Sequence, residues 1–221
     1  MDIREYKVKE LPYKYVLFYN IPVEQMESFR IMLSGDKDDN AILTYCYIDP
    51  EAGVSYKGLC SCKITGDKVR YNLSEQLIGL TLREGGIECD AIVMENVAEG
   101  YGFQEEAESI KEEYGYFEEK VAIDYNNIFD AYRHPFYPDD IQVFFPTSAG
   151  GYETMWVEEN GATAKGIMCR LLNEPYDESI GYNYGDLVNV VPKINSSGEI
   201  IPVADGSQFC KVEPEDWNYL L

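Results

Sequence analysis

The chain of 221 residues sets 40 Asp and Glu against 18 Lys and Arg, a formal net charge of −22, within a composition that is 45% hydrophobic and 14% aromatic. That apolar content supplies a real core and excludes wholesale disorder, while the charge disfavours phosphate-backbone binding, which depends on lysine and arginine displacing counterions. No apolar run approaches the roughly 18 residues of a membrane helix, and Met1-Asp2-Ile3-Arg4-Glu5 lacks the basic and apolar regions of an export signal, so a cytoplasmic protein without a membrane partner is expected.

In chain order, "YKYVLFY" (Tyr13 to Tyr19) is aromatic and β-branched, ends at Asn20-Ile21-Pro22, and predicts a buried strand closed by a turn. Val23, Met26, Phe29 or Arg30, and Leu33 then recur at helical spacing, with Pro22 at a first-turn position. "AILTYCYI", "VSYKGLCSCKI" and "VRYNL", separated by Asp49-Pro50-Glu51-Ala52-Gly53 and Thr65-Gly66-Asp67-Lys68, predict a three-stranded meander. Ser74 is a candidate cap for a short helix, and Cys89 to Val97 predicts another strand. Ala107, Ile110, Tyr114, Phe117 and Val121 mark a helix from Gln104 to Val121, with Gly115 weakening its middle; Tyr125, Ile128, Phe129 and Tyr132 suggest a second helical stretch before Pro135. After the strand "IQVFF", the small and glycine-doubled "PTSAGG" (Pro146 to Gly151) is the expected domain boundary. Beyond it lie short strands: Met155 and Val157 alternate with Trp156 and Glu158, Asn160-Gly161 signals a tight turn, Asn173-Glu174-Pro175-Tyr176 breaks the ladder, and Gly185-Asp186 leads into Leu187, Val188 and Val190.

Few motifs carry chemistry. Gly100-Tyr101-Gly102 sits between a strand and a helix as a dinucleotide loop would, but Glu105, Glu106 and Glu108 would repel a pyrophosphate at the helix N-terminus. Asp36, Asp38 and Asn40 imitate a calcium loop that then fails at Ala41 and Tyr47. Ser34-Gly35-Asp36-Lys37 lacks the companion motifs of acyl-transfer enzymes, and His134, the single histidine, has Asp139 and Asp140 near it in sequence but sits in a loop between Arg133 and Pro135. The six cysteines follow no disulfide-framework spacing and are expected to be reduced and mostly buried. Cys60 and Cys62 share a strand face, yet two further zinc ligands are missing, so neither metal nor cofactor is expected.

The segments "MWVE" (Met155 to Glu158), "LLNEPY" (Leu171 to Tyr176) and "GDLVNV" (Gly185 to Val190), with Asp216-Trp217 near the C-terminus, together resemble the YegJ-like family of bacterial domains. Pro192 to Glu215 is an insert between the last two matched pieces. The resemblance covers the last third of the chain and implies a small β-rich module with no established activity.

The expected architecture is therefore α+β: an acidic N-terminal domain over 1–146, an antiparallel sheet with two or three helices, followed by a small β-rich, barrel-like module over 147–221. Trp156 and Trp217 are expected to close the two ends of one barrel core, or else one of them to be an exposed anchor. The expected function is non-enzymatic protein binding through acidic and aromatic surface, for which nineteen tyrosines supply the material. The alternatives are an immunity or antitoxin-type inhibitor of a basic protein such as a nuclease, and a hydrolase using carboxylates or Cys60 and Cys62. Trp156, Asn173, Glu174, Tyr176 and Asp186 are the expected binding residues, because breaks beside strands often carry binding groups.

Overall fold

A computed structural model describes residues 2–73, 79–84, 86, 88–95, 97, 100–114, 128–162 and 166–206. It is α+β and mostly strand, and it divides into two compact units, Met1–Gly115 and Tyr116–Leu221.

The first unit holds one sheet built from β1 (Tyr15–Tyr19), β2 (Ala41–Asp49), β3 (Gly53–Thr65), β4 (Lys68–Asn72), β5 (Thr81–Arg83) and β6 (Asp90–Met94). The order is β4-β3-β2-β1-β6, with β5 also on β3, and every pairing is antiparallel. β2 is buried from Ala41 to Ile48 without alternation, which requires cover on both faces. On one face Leu43, Tyr45, Cys60 and Cys62 pack with Phe103, Ala107 and Ile110 of α2 (Phe103–Tyr114). On the other, α1 (Val23–Met32) buries Met26 and Phe29, and the following Leu33 comes so close to Gly58 that an added Cβ would lie 3.3 Å from its Cδ2 and 2.9 Å from Leu80 Cβ. Only glycine leaves room for that approach. The register slips by one residue where Leu43 faces Cys60 and Thr44 faces Gly58, so Leu59 forms a β-bulge.

In the second unit β7 (Asp140–Pro146), β8 (Tyr152–Ala162), β9 (Ile167–Leu171), β10 (Leu187–Ile194) and β11 (Ile200–Ala204) close a barrel in the order β10-β11-β7-β8-β9. The neighbours are antiparallel except β11 and β7, which meet in parallel at Val203 and Phe144, as an odd number of meandering strands dictates. Ile141, Val143, Phe145, Met155, Val157, Cys169, Leu171, Val188 and Val190 fill the interior, with Phe129 plugged in from the preceding turn.

Three expectations change. Pro146 is not a boundary: β7 pairs with β8 along its whole length, and 147–151 is their hairpin turn, with the Thr147 N–H on the Gly151 carbonyl at 3.0 Å. Small glycine-rich stretches reverse a chain as readily as they link domains. Asn160-Gly161 is a bulge rather than a turn, since Glu159 pairs with Cys169 and Gly161 with Met168 while β8 runs on. Of the stretch expected to be helical before Pro135, the described part holds a single 3-10 turn, Asp130–Tyr132. Residues 115–121 of the long helix, Tyr125, Ser74, Trp217 and Asp216 lie outside the described residues. Among those described, no helix is long and apolar enough to cross a membrane.

Candidate binding face on the barrel

Strand alternation places Glu153, Met155, Val157 and Glu159 on the inward face of β8. The middle pair joins the core and the carboxylates fall at its two ends. Glu159, fully buried, meets the equally buried Arg133 guanidinium at 2.9 Å. Glu153 accepts the backbone N–H of Tyr176 at 2.9 Å and of Asp177 at 3.0 Å, one on each oxygen. A carboxylate rising from the barrel thus clamps the connection between β9 and β10 across one mouth.

Four of the five residues expected to bind lie in that connection, and three spend a side-chain oxygen on a backbone N–H, two within the connection itself and one on β8. Glu174 accepts from the Tyr184 N–H at 2.9 Å, Asp186 from the Asn183 N–H at 2.8 Å, and Asn173 from the N–H of Trp156 at 2.8 Å. Asp177 caps the 3-10 turn Glu178–Ile180 through the Ser179 N–H, which holds its carboxyl below the usual carboxylate range. One oxygen each of Glu174, Asp177 and Asp186 is committed to positioning, whereas the tyrosine rings are not: Tyr176 is 97% and Tyr184 67% exposed. Tyr182, by contrast, packs against Phe145 of the core.

Trp156 does not close the barrel core. It has the opposite parity to Met155 and Val157, so it sits on the outer face, where its ring meets His134 edge-on at 5.0 Å. His134 also does not reach Asp139 or Asp140 with its ring. Its Nδ1 accepts the N–H groups of Phe136 and Tyr137 at 3.1 and 3.2 Å, and burial lowers its pKa.

The first unit uses its polar groups structurally. Asp39, buried, accepts from Ser61 Oγ at 2.6 Å, Asn72 Nδ2 at 3.0 Å and the Asp36 N–H at 2.8 Å. Burial alone would push that carboxyl up, but these donors bring it below its ordinary value. The carboxylates of Asp36, Asp38 and Asp39 cluster closely enough for a cation, but the Arg70 guanidinium already lies 3.3 to 3.7 Å from all three. Asn40, the third residue of the calcium-loop imitation, pairs instead with Ile64, accepting its N–H at 2.8 Å. Cys60 and Cys62 are buried with sulfurs 3.7 Å apart; hydrogen bonding to Cys62, then burial, pushes the Cys60 thiol well up, away from the thiolate a nucleophile needs. A groove of about 240 Å³ beside α1, between Tyr19, Met26, Arg30 and Ile64, is lined by neither thiol nor carboxylate.

No protein-family model matches the chain, and neither curated proteins nor solved structures show significant similarity to it. The sequence reading missed Glu153 and Glu159. Their signal was there in the alternation Glu-x-Met-x-Val-x-Glu, which puts acids and core residues on one face.

Proposed function

We propose that the chain is a cytoplasmic, non-enzymatic binding or accessory protein engaging a basic protein partner, in its sharpest form an immunity or antitoxin-type inhibitor of a basic nuclease. One observation carries this reading: a backbone-pinned loop holds two tyrosines out to solvent on a chain of net charge −22. Tyrosine supplies interface area at low entropic cost, and a strong negative field speeds encounter with a cationic partner. Against the hydrolase alternative stand the burial of Cys60 and Cys62, with the Cys60 thiol pushed well up, and the structural engagement of Asp39, Glu153 and Glu159.

Kinship with the YegJ-like family belongs to the same proposal, as does the layout of an antiparallel N-terminal sheet with two or three helices ahead of a barrel-like module. In its support, Met155 to Glu158 lies in β8, Leu171 to Tyr176 runs from β9 into the clamped loop, and Gly185 to Val190 leads into β10. The test is capture from the native host at low ionic strength, followed by identification and titration of the captured protein against salt. The expected result is a basic protein whose affinity falls steeply as salt rises. Retention of no basic protein would end the proposal.

A further inference from the structure

We infer that the connection between β9 and β10 is the contact surface, and that it receives an arginine-rich segment of the partner with Tyr176 and Tyr184 as its aromatic anchors. The inference rests on the basic-partner reading above and makes it specific. Large exposed rings normally sit on loops that must be ordered before they can bind, and that ordering weakens affinity. Here the ordering is built into the free protein. The Tyr176 N–H is held by Glu153, the Tyr184 N–H by Glu174, and the approach to β10 by the reciprocal Asn183 and Asp186 contacts.

Charge selects the occupant. From Leu172 to Leu187 the chain has Glu174, Asp177, Glu178 and Asp186 and neither lysine nor arginine, and Glu153 adds a further carboxylate beneath the loop. The donors to Glu153, Glu174, Asp177 and Asp186 are uncharged amides, which orient these groups; Arg170, whose guanidinium reaches the Gly185 carbonyl at 3.2 Å and also faces Glu158, offsets only part of the loop's negative charge. A cation arriving here meets aromatic faces and carboxylates together. Guanidinium suits that pairing better than ammonium, because its plane stacks on a ring while its edge donates to a carboxylate, whereas a lysine head is a compact and strongly hydrated charge.

The experiment measures binding of deca-arginine and deca-lysine peptides to the full chain at low salt. Wild type is expected to prefer deca-arginine. The double variant Y176A/Y184A keeps every carboxylate and should lose deca-arginine affinity by about tenfold or more, the range of an anchor residue, with its thermal midpoint unchanged. Tyr176→Phe and Tyr184→Phe keep the rings and should bind as wild type. A folded double variant that binds deca-arginine undiminished would overturn the surface, and loss of binding in the phenylalanine variants would overturn the role of the rings. If wild type bound neither peptide, the basic-partner reading itself would fall, and the surface with it.

Discussion

A buried charge has to find donors or a counterion, and Arg133 and Glu159 find each other where both side chains are almost wholly out of water. Arg133 also faces Asp130, its Nε 3.5 Å from Oδ1. Glu159→Leu is expected to cost about 3 kcal/mol, the low end for a broken buried pair because Asp130 still faces the guanidinium, and Arg133→Met with Glu159→Leu no more than that; urea denaturation of the two variants beside wild type checks this. His134 offers a pH readout. Its Nδ1 accepts two backbone N–H groups, so the ring must be neutral, and burial lowers its folded pKa from the ordinary 6.5. The stability held by the neutral ring is complete above about pH 6.5 and is lost as pH falls from there through the lowered folded value. Denaturation midpoints should therefore drop between pH 7 and pH 5 in wild type and flatten over that window in His134→Gln. At this scale the sequence was half legible. Asn173, Glu174 and Asp186 were read as a binding face because polar residues at a ladder break look available. What decides their role is the backbone amide each one meets, up to 17 residues away for Asn173 and Trp156.

Elements were read better than their ends. β1, β2 and β3 follow from aromatic and β-branched runs between turn residues, and α1 and α2 from apolar spacing of three and four. The hairpin at 147–151 and the bulge at Asn160 were misread because glycine marks a change in backbone direction without saying which kind. Gly166 shows how tightly two strands fix one position. A Cβ there would lie 2.0 Å from the Val190 carbonyl oxygen. Gly166→Ala should force β9 away from β10 at a cost of about 3 kcal/mol. At Gly161 the nearest atom is the movable Met168 Cε at 3.4 Å, and alanine should cost about 1 kcal/mol or less. Chemical denaturation of the two variants side by side measures the difference.

For the molecule as a whole, closure of the barrel was suggested by short strands, but its parallel seam was not. Val203 and Phe144 are brought together by strand count and curvature rather than by any local pattern. The charge of −22 acts on all of it at once, since self-repulsion opposes compaction and salt screens it over about 10 Å at 0.1 M. Thermal midpoints should rise by a few degrees between 10 mM and 300 mM NaCl, as followed by circular dichroism. A midpoint that fell with salt would show that attractive surface pairs outweigh the repulsion.

The carboxylates of β8 also act as a gauge. Glu153 and Glu159 are six residues apart, a span of about 20 Å in extended chain. A slide of β8 by two residues would preserve its alternation and still look acceptable to every hydrophobic side chain. It would nonetheless drag one acid into the oily middle and pull the other away from Arg133, so the hairpin has a single resting position. Any insertion or deletion between these two acids, even of a harmless even number, should cost more than the same change beyond them.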